Sequence, residues 1–377
     1  MSYKERYGST GDARPAHEGK LFPREIFWRD YQPFLLKRGY RLRARFQPDW
    51  VPSWKNAKEL RLAEDSQRLA YRQLMDATRI SDGSLVALKL SDPDEDPHEV
   101  EIAQFLSSEP GTADLRNHCV PIYEIIPVPD LKDAIIIVMP LLYPLEYPRF
   151  DTVGETVECF RQIFEGVQFI HENKIAHGDC KYDSFLVDSK ALFLSPNHQP
   201  HPSVPYRRRD FQGPPRAATT RTRAPVKYFI IDFNLSLRYD GPGPHLRAPR
   251  WGGDRTVPEW KTGEMCDPFA VDIYCLGNTI RENFTKGYDL DPGKKGFGFM
   301  KTLVNDMCQD DPKARPKMDE VVARFEEIRL SLSERKLRSR IAPKNENFVA
   351  AVFRFVFHWG GQVIPILRRI PAIPTYQ

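Results

Sequence analysis

No two cysteines in this chain are spaced as a zinc site requires. Cys119, Cys159, Cys180, Cys266, Cys275 and Cys308 stand singly, without a CxxC pair. That pattern speaks against a thiolate metal centre and is read as six free thiols in a reducing compartment. An excess of one charge is missing too. Lysine and arginine number 55 against 51 aspartates and glutamates, a formal net charge of +4, so composition alone gives no reason to propose nucleic acid or an anionic membrane as a partner. Met1 to Thr10 is polar and charged and lacks the apolar run of a secretory signal or a first membrane span. A cytoplasmic or nuclear protein is expected. No internal repeat is present.

Apolar residues are present in ordinary proportion, enough for a sizeable core. Residues 1–20 read as a mobile tail, and 21–66, rich in aromatics and arginines, as an extension that wraps a domain. Ser81-Asp82-Gly83 between short apolar runs signals a hairpin, with Val86 to Leu90 as its second strand. Helical spacing follows over His98 to Ser107. Ala134 to Met139 is an Ile/Val run bounded by Pro140, which predicts a buried strand. Val157, Phe160, Ile163, Phe164, Val167 and Ile170 recur at helical steps and predict a long amphipathic helix.

Leu194 to Pro225 is rich in proline and arginine and poor in aliphatics, which predicts a solvated insertion contributing nothing to a core. Beyond Pro343 an apolar segment, Phe348 to Leu367, is broken by Arg354, His358, Gly360-Gly361 and Pro365. Packing onto the rest of the chain is its expected role, ahead of contact with a membrane.

Chemistry concentrates in His177-Gly178-Asp179-Cys180-Lys181-Tyr182-Asp183-Ser184, just after the long helix. This run resembles the H-R-D-L-x-x-x-N catalytic loop of eukaryotic-type protein kinases. Other motifs follow that family's order. Val86-Ala87-Leu88-Lys89 resembles V-A-I-K, Ile231-Asp232-Phe233-Asn234 resembles D-F-G after a strand, and Val257-Pro258-Glu259 resembles A-P-E. Asp272-Ile273-Tyr274-Cys275-Leu276-Gly277 is similar to D-x-W-S-x-G, and Asp311 to Pro316 resembles the late segment whose arginine, here Arg315, pairs with the A-P-E glutamate. More narrowly, Gly39 to Arg43, Pro48 to Trp54 and Asp76 to Arg79 resemble the divergent kinase-domain proteins of mushroom-forming fungi.

The resemblance implies an α+β, two-lobed fold: a small β-rich lobe over 67–141 and a larger helical lobe over 142–335 carrying the insertion at 194–225, followed by an apolar tail at 336–377. It implies ATP and Mg2+ as cofactors and a protein as substrate or partner. Asp179 would take the acceptor hydroxyl proton and Lys181 would neutralise the moving phosphoryl. Lys89, paired with Glu101 or failing that Glu99, would position the nucleotide among Ala87, Leu74, Met139 and Leu186. Asp232 and Ser184 would hold metal. Glu101 is preferred because it places Phe105 one turn on, towards Phe233.

Several positions depart from the family pattern. Counting back from Ala77 puts the three phosphate-loop glycines at Gln67, Leu69 and Arg72, none of them glycine, so the covering loop is degenerate. Arg68 or Arg72 could supply charge to phosphates instead. Gly178 replaces the arginine before the catalytic aspartate, Ser184 the metal-binding asparagine, and Asn234 the D-F-G glycine, where an unusual backbone turn is expected. Three functions stay open: a protein kinase, a pseudokinase acting as a binding module, and a small-molecule phosphotransferase, a class that also carries His-Gly-Asp.

Overall fold

The computed structural model describes residues 2–7, 19–71, 73–241, 243–250, 252–289 and 291–376. The chain divides into two compact units, one of residues 1–100, 120–143 and 193–218, the other of 101–119, 144–192 and 219–377.

The first unit is a five-stranded antiparallel sheet of β1 (Tyr40–Leu42), β2 (Leu74–Arg79), β3 (Leu85–Ser91), β4 (Glu124–Pro127) and β5 (Ile135–Pro140), in the order β1-β2-β3-β5-β4. The Ser81-Asp82-Gly83 turn closes β2 onto β3, with Gly83 at φ 71° and Arg79 bonded to Asp82. Alternation along β3 sends Val86, Leu88 and Leu90 into the core and leaves Ala87 and Lys89 on the opposite face.

Helix α1 (Pro23–Lys37) supplies Phe27, Trp28, Tyr31 and Leu35 to the same core as Met75, Ile136 and Val138. The segment expected to wrap the domain is therefore part of its interior and contributes its edge strand. Its aromatics share the core through tertiary packing, which short-range periodicity does not register. Of the expected N-terminal tail, residues 8–18 lie outside the described residues, whereas Tyr3–Tyr7 is a short helix with both rings edge-on to Phe27.

The second unit is mainly helical. Helix α2 (Pro97–Leu106) begins in the first unit's residues and ends in the second's. Then follow α3 (Val153–Glu172), α4 (Pro268–Ile280), α5 (Lys301–Met307), α6 (Met318–Ser331) and α7 (Phe348–Leu367). Helix α3 starts where Thr152 Oγ1 accepts from Glu155 N, while the Glu155 carboxylate accepts from Asp151 N at 2.7 Å, a near-reciprocal cap. Its apolar stripe packs on α6 through Phe164 and Phe325, 5.0 Å apart. Strands Phe185–Val187 and Tyr228–Ile230 pair antiparallel in this unit. All six cysteines are free.

Candidate active site

On β3, Lys89 extends from the face opposite the core and forms an ion pair with Glu99. The second carboxylate oxygen of Glu99 accepts from Ser91 Oγ at 2.8 Å. Glu101, the preferred partner from sequence, is exposed. The helix phase decides this. Glu99, Ile102, Ala103 and Leu106 recur at steps of three and four residues and are all buried, while Glu101 points off that face. The reason for preferring Glu101 also falls away, because the Phe105 ring is covered by the Arg238 guanidinium at 3.9 Å and the Phe233 ring lies against His177.

Register places other expected nucleotide residues on the Lys89 face. Leu74 lies opposite Lys89, and Ala87 lies between Asp76 on β2 and Met139 on β5. Asp76, which sequence reasoning passed over, is buried and bound to Arg43 Nε at 3.0 Å and to Arg209 Nη2 at 2.9 Å. Burial acts to raise its pKa, but the two guanidinium groups and His201 hold its carboxyl well below the usual range. Arg209 follows a small hairpin, Pro200–His201 with Val204–Arg208. His201 lies against Glu64 at 3.0 Å, and Gln199 accepts from Tyr143 Oη at 3.0 Å.

Residues expected to form a solvated insertion are thus folded onto the face that carries Lys89. Its later part is equally structured within the second unit. There, fully buried Arg221 stacks on Phe150 and donates to Tyr228 Oη, while Thr222 Oγ1 donates to Glu155. Ion pairs and hydrogen bonds hold this segment in place, so its low aliphatic content does not leave it solvated.

The covering loop differs as well. The strand beside β2 is Tyr40–Leu42, with Leu42 opposite Ala77, so residues 43–73 replace a glycine hairpin. Leu69 is buried in the core and Arg68 lies over the Phe22 ring; Arg72 lies outside the described residues.

In the second unit the catalytic-loop motif is organised from below by Asp272, whose carboxylate accepts from His177 N at 2.7 Å and from Gly178 N at 2.8 Å. His177 Nε2 donates to Ile231 O, and its Nδ1 accepts from Asp179 N. Gly178 has φ 81°, and a Cβ there would come within 2.7 Å of Leu235 O, which is why no arginine stands at this position.

Asp179 is 6% exposed. One carboxylate oxygen accepts from Gly253 N at 2.7 Å, and the other lies 3.3 Å from Lys181 Nζ. Burial opposes the charge on Lys181, but Asp179 and Asp183 outweigh it and raise its pKa. A Cβ on Gly252 would fall within 2.7 Å of the Asp179 carboxylate, so glycine lets this segment approach.

Ser184 Oγ donates to Asp179 O at 2.7 Å, and Ser184 O accepts from Ile231 N. Its hydroxyl proton is used in holding the loop. Leu186 lies opposite Phe229, and Asp232 follows that strand at φ 69°, ψ 67°. The left-handed residue is Asp232 itself, not Asn234 as the D-F-G comparison suggested. Among the described residues no three His, Cys, Asp or Glu side chains form a metal-holding cluster. A magnesium ion would take Asp232 and draw its remaining oxygens from phosphates and water, as such sites commonly do.

Further along, Arg315 meets Glu259 as expected. Nη1 and Nη2 lie 2.6 and 2.8 Å from the two carboxylate oxygens, and the pair is buried beneath the Tyr274 ring.

No protein-family model matches the chain. Among curated proteins it is 25% identical over 154 residues to a serine/threonine-protein kinase of Debaryomyces hansenii, covering 38% of this chain and 20% of that one. A serine/threonine-protein kinase of Kluyveromyces lactis is 25% identical over 177 residues, 42% of this chain and 22% of the relative. A NUAK family SNF1-like kinase of Mus musculus is 27% identical over 136 residues, 34% and 20% of the two chains. These matches support a protein kinase domain. The chain aligns with about a fifth of the length of these relatives. The fold is α+β, of the two-lobed protein kinase type, with a β-rich unit and a larger helical one. Asp272 as the anchor of the loop, Asp76 and Arg209 on the sheet, and Gly253 on Asp179 were missed from sequence. Only Asp272 had a signal there, its place in the D-x-W-S-x-G-like run.

Proposed function

We propose that the chain is a protein kinase-like phosphotransferase acting on a protein hydroxyl, of the Ser/Thr type. The observation that carries this is the Lys89–Glu99 ion pair on a sheet face shared with Ala87 and Met139. A lysine so held offers a fixed positive charge to nucleotide phosphates, with Glu99 restraining its rotamers. Bound Mg-ATP would supply the phosphoryl group and the metal charge. Asp232 is the residue suited to hold that metal. Asp179 would orient the acceptor hydroxyl and take its proton, and Lys181 would offset negative charge developing beside it.

A second reading, a pseudokinase that binds partners without turnover, is favoured by one observation: Arg209 and Arg43 converge on Asp76, opposite Ala87, where a purine would be received. Phosphate incorporation from labelled Mg-ATP into a generic protein substrate or into the chain, wild type against Asp179→Asn, separates the two. Incorporation above the Asp179→Asn level supports transfer. Equal background in both proteins, with no thermal shift on millimolar Mg-ATP, leaves the pseudokinase.

A further inference from the structure

Helix α7 departs from the pattern of a helix packed on a soluble domain. Only Gln362 and Pro365 are buried along it, whereas Phe348, Phe357 and Leu367 are 80%, 78% and 76% exposed. Its expected packing onto the large lobe is confined to one narrow line. His358 Nε2 bonds to Arg338 O at 2.7 Å, and Gln362 and Pro365 continue that line one and two turns on.

Away from this line, the exposed residues Phe355, Phe348, Val356, Phe353 and Phe357 sweep an arc of about 200° at roughly 100° per residue. A stripe that one neighbouring helix or core covers is about 100° wide. The uncovered arc is too broad for a single protein partner's seam and suits a fluid apolar phase.

Charge and tethering point the same way. No aspartate or glutamate follows Glu346. Arg354, Arg368 and Arg369 are exposed. At about 100° per residue Arg354 falls outside the arc and Arg368, the C-cap, at its edge. Arg369 follows the helix at φ 52°, and Arg354 also pairs with Glu346 at 2.9 Å. The helix is fastened at both ends to its own unit, by Arg340 with Glu346 before it and by Arg338 Nη2 with Ile370 O at 2.6 Å after it. Ala372 and Pro374 are buried beyond that. By length and composition α7 could cross a membrane, but a helix tied down at both ends lies along a surface.

We propose that α7 is an in-plane membrane-binding helix, its apolar arc sunk into the acyl boundary of an anionic bilayer and its arginines at the lipid phosphates.

The test is cosedimentation of the full chain with vesicles of phosphatidylcholine alone and of phosphatidylcholine with phosphatidylserine. Binding to the anionic vesicles that weakens with salt is expected. The double variant Val356→Asp, Phe357→Asp should bind about tenfold less while melting at the wild-type temperature, since both side chains face outward. A monomeric chain that stays in the supernatant with both vesicle types overturns the proposal. So does a vesicle-free dimer that the same substitutions dissociate, which would make a second copy the occupant. Retention in the membrane after alkaline carbonate washing would overturn in-plane binding in favour of a span.

Discussion

Arg209 donates to the Asp76 carboxylate from 133 residues further along the chain, and Arg43 reaches the same carboxylate from a third segment. One buried anion thus ties the edge of the sheet, its second strand and the 193–218 segment into one unit.

Removing Arg209 should therefore be costly. Arg209→Ala leaves Asp76 buried with one cation in place of two, and a loss of about 3 kcal/mol in unfolding free energy is expected, the lower end for a broken buried pair. Urea denaturation measures it. Deleting the Pro200 to Arg208 hairpin should destabilise the protein as well, whereas a truly solvated loop would be removed without cost.

The same cluster gives a pH dependence. Burial, reinforced by the Arg43 charge and opposed by Glu64, holds the pKa of His201 below its ordinary value. The unfolded chain then binds the proton more tightly than the folded one. Stability from His201 is complete above about 6.5 and is lost as pH falls through its lower folded pKa. Asp76, also depressed, adds a second loss only below about 4. Between pH 8 and 5 the melting temperature of wild type should fall more steeply than that of His201→Asn. Some slope should remain, because buried His118 is shifted in the same direction.

Glu99 and Glu101 sit two residues apart on α2 and should behave oppositely. Glu99→Gln removes the carboxylate charge paired with Lys89 and is expected to weaken Mg-ATP binding about tenfold or more, consistent with the loss of a positioned charge. Glu101→Gln, altering an exposed side chain, should leave binding unchanged. Titration by calorimetry or thermal shift distinguishes them, and equal effects would remove Lys89–Glu99 from the nucleotide site.

Glu259 and Arg315 form a bidentate buried pair, so Glu259→Gln strands a guanidinium and should cost about 3–5 kcal/mol. Replacing both residues should cost less than the sum of the single changes, a coupling that a double-mutant cycle in urea would show.

What the sequence by itself determined was local in character. The strands at β3 and β5, the long helix α3, and the motifs around Lys89, Asp179, Asp232, Glu259 and Arg315 were legible because periodicity and motif spacing are short-range properties. Tertiary structure decided the rest. Glu99 rather than Glu101 faces Lys89 because packing of Ile102, Ala103 and Leu106 fixes the rotation of α2. The arginine-rich segment is folded because its charges meet partners far away in sequence, and α1 belongs to the core because its aromatics share one buried cluster with residues of β2 and β3. The buried Asp76 carboxylate makes Arg209 a structural residue, and Phe150 with Tyr228 does the same for Arg221, although both arginines read as solvated.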